Sequence, residues 1–170
     1  MAWAASRRAR QWLGLAALTA VMAGYSSIST WQRDHAFMIN ASESLPNWAF
    51  SVDRSVSPAR GDYVFFAPPE NELIRTHFGP DSGPFGKQVI GMPGDFVSHD
   101  GRVVRVNGSR VATMKPRART GEALTPGPVG EVPNGCFYVG TSHPDGLDSR
   151  YAEVGFVCRR QIVGVGSPIL

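Results

Sequence analysis

The sequence predicts a mainly β domain of short antiparallel strands following one N-terminal transmembrane helix. Three observations lead there. An uncharged segment of 22 residues runs from Gln11 to Gln32. Beyond residue 36, no long stretch keeps helical periodicity, whereas short extended runs recur between turn signals. Glycine (19) and proline (13) are abundant, which favours many short elements over a few long helices. At 170 residues the chain has room for one domain of moderate size and a short appendage.

The N-terminal segment comes first. It carries Trp12, Leu13, Leu15, Leu18, Val21 and Met22, and as a helix it would rise about 33 Å, against a hydrocarbon core of about 30 Å. Trp12 and Trp31 lie near its ends, and Arg7, Arg8 and Arg10 precede it. The bias of cationic residues toward the cytoplasm makes residues 1–35 a cytoplasmic N-terminus and inner-membrane anchor. Residues 36–170 then form a periplasmic domain. The competing reading is a cleaved signal peptide, with small residues at Ala23 and Gly24; either way the domain is exported.

The strands follow in order. Gly61-Asp62 opens Tyr63–Ala67, which Pro68-Pro69 ends. Lys87–Ile90 runs into Gly91-Met92-Pro93-Gly94-Asp95, and Phe96–Ser98 comes next. Arg102–Val106 stops at Asn107-Gly108, a tight-hairpin dipeptide, with Arg110–Ala112 as the return. Cys136–Val139, Gly155–Cys158 and Gln161–Val165 complete the set. A short helix is expected within 70–78, and residues 115–133 form a surface excursion rich in Pro, Gly, Arg and Thr. One core and no repeats are expected.

Composition narrows the function. The chain is 42% hydrophobic and 18% charged, far from a disordered signature. Its net charge of +3 is matched by Arg7, Arg8 and Arg10 alone, which argues against a nucleic-acid partner. Of 17 basic residues only Lys87 and Lys115 are lysines, so amines able to lose a proton are few. His35, His77, His99 and His143 are scattered without metal-ligand spacing and read as surface or loop residues; neither metal nor cofactor is expected. Cys136 and Cys158 invite a disulfide in an oxidising compartment, worth about 3 kcal/mol, with two buried thiols as the alternative.

Three segments hold residues suited to chemistry: Asn40-Ala41-Ser42-Glu43-Ser44-Leu45-Pro46, Lys87–Asp95, and Gly140–Tyr151, which contains Asp148-Ser149-Arg150. In this order, after a membrane segment, they resemble the type I signal peptidases (family S26), above all the conjugative-transfer branch typified by TraF. Those enzymes share a Ser-Leu-Pro or Ser-Met-x-Pro box, a Lys-Arg-Val-x-Gly-x-Pro-Gly-Asp box and an Asp-Ser-Arg box. The resemblance covers essentially the whole chain. A lone Ser-x-Pro carries no weight; the Gly-x-Pro-Gly-Asp run with a lysine four residues before its first glycine is far more specific.

The chemistry accounts for the residue types. A serine hydroxyl becomes a nucleophile when a neighbouring base takes its proton. Lysine serves as that base only if burial makes its charged form costly, and Lys87 lies beside Phe85, Val89 and Ile90 in an expected core strand. The resemblance implies Ser44 as nucleophile and Lys87 as general base. It also implies that the Ser44 N–H and the Ser42 hydroxyl form the oxyanion hole. Asp148 and Arg150 would support the site as an ion pair, and Asn40 would brace the loop. A Ser44/His143/Asp148 triad is the rival arrangement, and it leaves the Lys87 box unexplained.

Two departures from the family pattern stand out. Gln88 replaces the usual arginine, as a surface position. Gly146 stands where many relatives carry a serine that hydrogen-bonds the lysine; Ser142, Ser149 or water would have to replace it. Trp48 and Phe50 either dip into the membrane interface or pack in the core. The implied activity is a membrane-bound serine endopeptidase that cleaves exported precursors after small residues, with a pilin precursor as the substrate and hydrolysis or cyclisation as the outcome. A housekeeping signal peptidase and a catalytically silent membrane-anchored scaffold are the alternatives.

Overall fold

A computed structural model describes residues 2–40, 42 and 44–169. The chain divides into two units, residues 1–36 and 37–170. The first is helix α1 (Ala2–Asp34), whose stretch Arg8–Asp34 is long and apolar enough to cross a membrane. Leu13, Leu18, Val21 and Met22 are all largely exposed on it. Its weakly hydrophobic second half is compatible with lipid because hydroxyls turn back on the helix. Ser27 Oγ donates to Ala23 O at 2.9 Å and Thr30 Oγ1 to Ser26 O at 2.8 Å, so neither is left without a partner.

The second unit is built on two antiparallel sheets. Its strands are β1 (His35–Ile39, beginning at the unit boundary), β2 (Ala49–Asp53), β3 (Tyr63–Phe66), β4 (Phe85–Gly91), β5 (Phe96–Asp100) and β6 (Val103–Val106). Then come β7 (Ser109–Thr113), β8 (Gly130–Glu131), β9 (Cys136–Gly140), β10 (Val157–Cys158) and β11 (Ile162–Pro168). The larger sheet runs β1-β2-β11-β3-β4-β9-β10 and the smaller β7-β6-β5-β8. Helix α2 (Glu72–Phe78) falls inside the expected window, and the Asn71 side chain caps it by accepting from Ile74 N at 3.0 Å. The β6–β7 hairpin turns at Asn107 and Gly108, both with positive φ (50° and 79°), the turn that Asn-Gly favours.

Strand β9 organises the interior because it is buried on both faces. Phe137 and Val139 pack with Val64, Phe66, Val89 and Val157; Cys136 and Tyr138 pack with Val97, Val104, Val132 and Tyr151. There are thus two hydrophobic clusters, where one core was expected. A strand buried on both faces reads as a continuous apolar run, so nothing in Cys136–Val139 announces that its faces meet different partners. Cys136 and Cys158 lie opposite each other on β9 and β10 and form a disulfide.

One open alternative is resolved and two expectations are corrected. Phe50 is fully buried, edge-to-face with Tyr63 and Phe65 at 5.2 Å, so it packs in the core and does not reach an interface; Trp48 is exposed. His99 is a part-buried residue of β5, not a loop residue. Its Nε2 is buried without a hydrogen-bond partner among the described residues, and desolvation lowers its pKa. Residues 115–133 hold little regular structure beyond β8, yet they are not only surface, since Leu124 and Val132 pack over the second cluster.

Candidate active site

Lysine 87 sits in the middle of the larger sheet. On β4 it lies directly opposite Val64, and its face carries the buried Val89 and the ring of Phe85, 6.0 Å from Nζ. Only 5% of Lys87 is exposed. Burial therefore dominates its chemistry and lowers the pKa from 10.5 to about 8; the Asp148 charge opposes the shift and Arg150 reinforces it.

The β4–β5 turn anchors this strand. Asp95 accepts from Met92 N at 2.6 Å, from Arg60 Nη2 at 2.6 Å and from Asn107 Nδ2 at 2.7 Å. Desolvation alone would raise its pKa, but these donors more than offset it and hold the carboxyl below its usual range. Gly94 supplies the positive φ (87°) that the turn requires. The Gly-Met-Pro-Gly-Asp run is thus a clasp that holds the lysine strand.

Ser44 lies in the loop between β1 and β2, which Asn40 closes. Asn40 N donates to Trp48 O at 2.8 Å, and its Nδ2 reaches Leu45 O at 3.1 Å and Asn47 O at 3.2 Å. Its Oδ1 accepts from Ser42 Oγ at 3.0 Å, and the Ser42 and Ser44 hydroxyls stand 2.7 Å apart. Leu45 seats this loop against the sheet at Gly86. Its Cδ1 lies 2.9 Å from where a β-carbon on Gly86 would be, so the glycine gives it room. On the other side, the Ser44 carbonyl accepts a hydrogen bond from Thr141 Oγ1. Thr141 directly follows β9, whose last residue, Gly140, lies opposite Gln88 of β4. The loop that carries Ser44 is therefore held at Gly86 and at Thr141.

Behind Thr141 lies a buried ion pair. Arg150 Nε donates to Asp148 Oδ1 at 2.8 Å and Arg150 Nη2 to Oδ2 at 2.9 Å, with Asp148 1% and Arg150 2% exposed. Thr141 N also donates to Asp148 Oδ2, at 3.1 Å. The Asp148 carboxylate is thus occupied by Arg150 and Thr141, and His143 Nδ1 accepts from Asp145 N at 3.2 Å. Among the described residues no group of His, Cys, Asp and Glu could hold a metal ion.

Residues 9–170 match the model of the family described as signal peptidase, peptidase S26. The chain belongs to that family. It is a signal-peptidase-type protease acting on precursor proteins, and its N-terminal helix is suited to membrane anchoring. A curated relative, the conjugal transfer protein TraF of Agrobacterium fabrum, is 27% identical over 146 residues, covering 78% of this chain and 81% of its own length. A crystal structure of a signal peptidase I from Enterococcus faecalis V583 aligns with 25% identity and a TM-score of 0.39, over 65% of this chain and 97% of that one.

The structure brings Asn40, Ser42, Ser44, Lys87, Asp148 and Arg150 into one region, whereas Cys136 and Cys158 stand apart as a structural link. Gln88 is exposed and donates to Gly61 O at 2.9 Å. Neither protein candidate for the missing serine hydroxyl meets the lysine: Ser149 Oγ accepts from Val139 N at 3.0 Å, and Ser142 lies exposed in the loop after β9. Sequence reasoning passed over Thr141. A threonine after a strand is unremarkable, and only the fold reveals its partners.

Proposed function

We propose that the chain is a serine endopeptidase using Ser44 and Lys87, acting at the inner membrane on the periplasmic side. The observation that carries the reading is a buried lysine amine, its pKa lowered to about 8, on the strand whose Gly86 seats Leu45, the neighbour of Ser44. The neutral Lys87 amine takes the Ser44 Oγ proton as the oxygen attacks the scissile carbonyl. The Ser42 hydroxyl turns from Asn40 to the developing oxyanion and acts with the Ser44 N–H. The Lys87 ammonium then protonates the leaving amine, which leaves a Ser44 ester. Water or a substrate amine, deprotonated by Lys87 in turn, releases the acyl group. Asp148 and Arg150 hold the loop that backs the site, and Asn40 holds the nucleophile loop.

The likeness to a protein named for conjugal transfer favours a conjugative pilin precursor as the substrate. Cleavage after small residues and presentation of an extended peptide by strand addition follow from the family resemblance. The test is co-expression of a pilin-like precursor with wild type, Ser44→Ala and Lys87→Ala in membranes. Wild type alone is expected to process it. Product mass then separates a linear product from a circular one, which is lighter by one water. Processing by both variants would refute the dyad.

A further inference from the structure

Thr141 is 5% exposed, and every polar group it owns is engaged. Its N–H donates to Asp148 Oδ2 at 3.1 Å, and its carbonyl accepts from Arg150 Nη2 at 2.7 Å. Its hydroxyl accepts from His143 N at 3.2 Å and donates to the Ser44 carbonyl. The main chain of Thr141 is thus fixed by the buried ion pair, and its one remaining proton is spent on Ser44. We propose that Thr141 is a positioning residue, a latch that transfers the rigidity of the Asp148–Arg150 pair to the main chain carrying the Ser44 hydroxyl and N–H. This rests on the reading of Ser44 as the nucleophile. The carbonyl it holds belongs to Ser44 itself, so losing the bond frees the residue whose oxygen must meet a carbonyl carbon and whose N–H must meet the oxyanion.

Gly146 gives the latch its geometry. A β-carbon on Gly146 would overlap Thr141 Cγ2, and it would also lie 3.1 Å from Asp148 Oδ2 and 3.3 Å from His143 O. No positive φ is involved, so the glycine is there for space and not for backbone freedom. Any side chain at 146 pushes on the threonine methyl and swings its hydroxyl away from Ser44. The glycine and the threonine act as a pair, and the departure at Gly146 is the clearance that Thr141 needs.

The test uses the full chain in detergent and a peptide spanning a junction that wild type cleaves, with kcat and KM measured separately. Thr141→Val keeps the shape and loses the donor; kcat is expected to fall about 10²-fold with KM within about 3-fold, as for a small misplacement of a reacting group. Thr141→Ser keeps the donor and is expected to stay within about 3-fold of wild type. Gly146→Ala is expected to lose about 10-fold or more in kcat. Adding Thr141→Ser to it removes the colliding methyl and restores most of that loss, which a general weakening of the fold would not do. A wild-type kcat for Thr141→Val overturns the latch, as do equal losses for the Val and Ser variants or a double variant no better than Gly146→Ala. Ser44→Ala, measured alongside, separates the two layers: if it still turns over, the nucleophile assignment itself has failed.

Discussion

Lys87→Met is expected to abolish processing while making the protein more stable. Methionine has similar length, no charge, and suits the surface formed by Phe85, Val64 and Val89. Loss of the proposed base is expected to cost about 10⁴-fold or more in kcat/KM, the scale seen when a nucleophile's partner is removed. Stability moves the other way. A folded pKa of about 8 against 10.5 means that at neutral pH the native state holds an ammonium it would favour losing, a penalty on the order of 3 kcal/mol. Between pH 8 and 10.5 the unfolded chain binds the extra proton, so wild-type stability rises with pH across that window. The variant lacks both the penalty and the slope. Thermal unfolding at pH 7 should show it melting about 5 °C or more above wild type; a lower melting temperature would mean that the amine is a structural contact and not a destabilised base.

Asp148→Asn is the second large effect, and its sign is opposite. It removes the charge that compensates a guanidinium only 2% exposed, and breaking such a pair costs about 3–5 kcal/mol. Denaturant unfolding is expected to show a midpoint shift of that size. The Asp148 charge also raises the Lys87 pKa, so in its absence the amine titrates below about 8. The residual activity of Asp148→Asn should therefore reach its plateau at lower pH than wild type, although less of the protein is folded. A pair that served only to hold the fold would give the stability loss without moving the profile.

The parts of the site that lie close together in sequence were legible there. Ser42, Ser44 and Asn40 share one short loop, and Asp148 and Arg150 are two residues apart. Lys87 could be singled out because lysine is scarce in this chain and because it opens the Gly-Met-Pro-Gly-Asp clasp. What brings these segments together was not legible. It depends on β9 pairing with β4 across 44 intervening residues and on β11 inserting between β2 and β3, long-range choices that leave no local mark. The short strands β1, β2 and β8 escaped for a related reason. Ala49–Asp53 does alternate, with Phe50 and Val52 inward, but five residues after a Ser-Leu-Pro turn are weak evidence alone. Thr141 and Gly86 matter only through what the fold sets against them, Ser44 O and Leu45, and no composition or spacing foreshadows either contact.

The most direct test of the central claim is the pH dependence of kcat/KM for cleavage of a precursor peptide, measured on wild type with Lys87→Met alongside. A neutral lysine acting as base predicts a single ionisation near pH 8, with activity rising through it to a plateau, and no measurable turnover by Lys87→Met at any pH. A limb near pH 6.5, the range of histidine, or a wild-type profile retained by Lys87→Met would contradict the Ser44–Lys87 assignment and move the base to another residue.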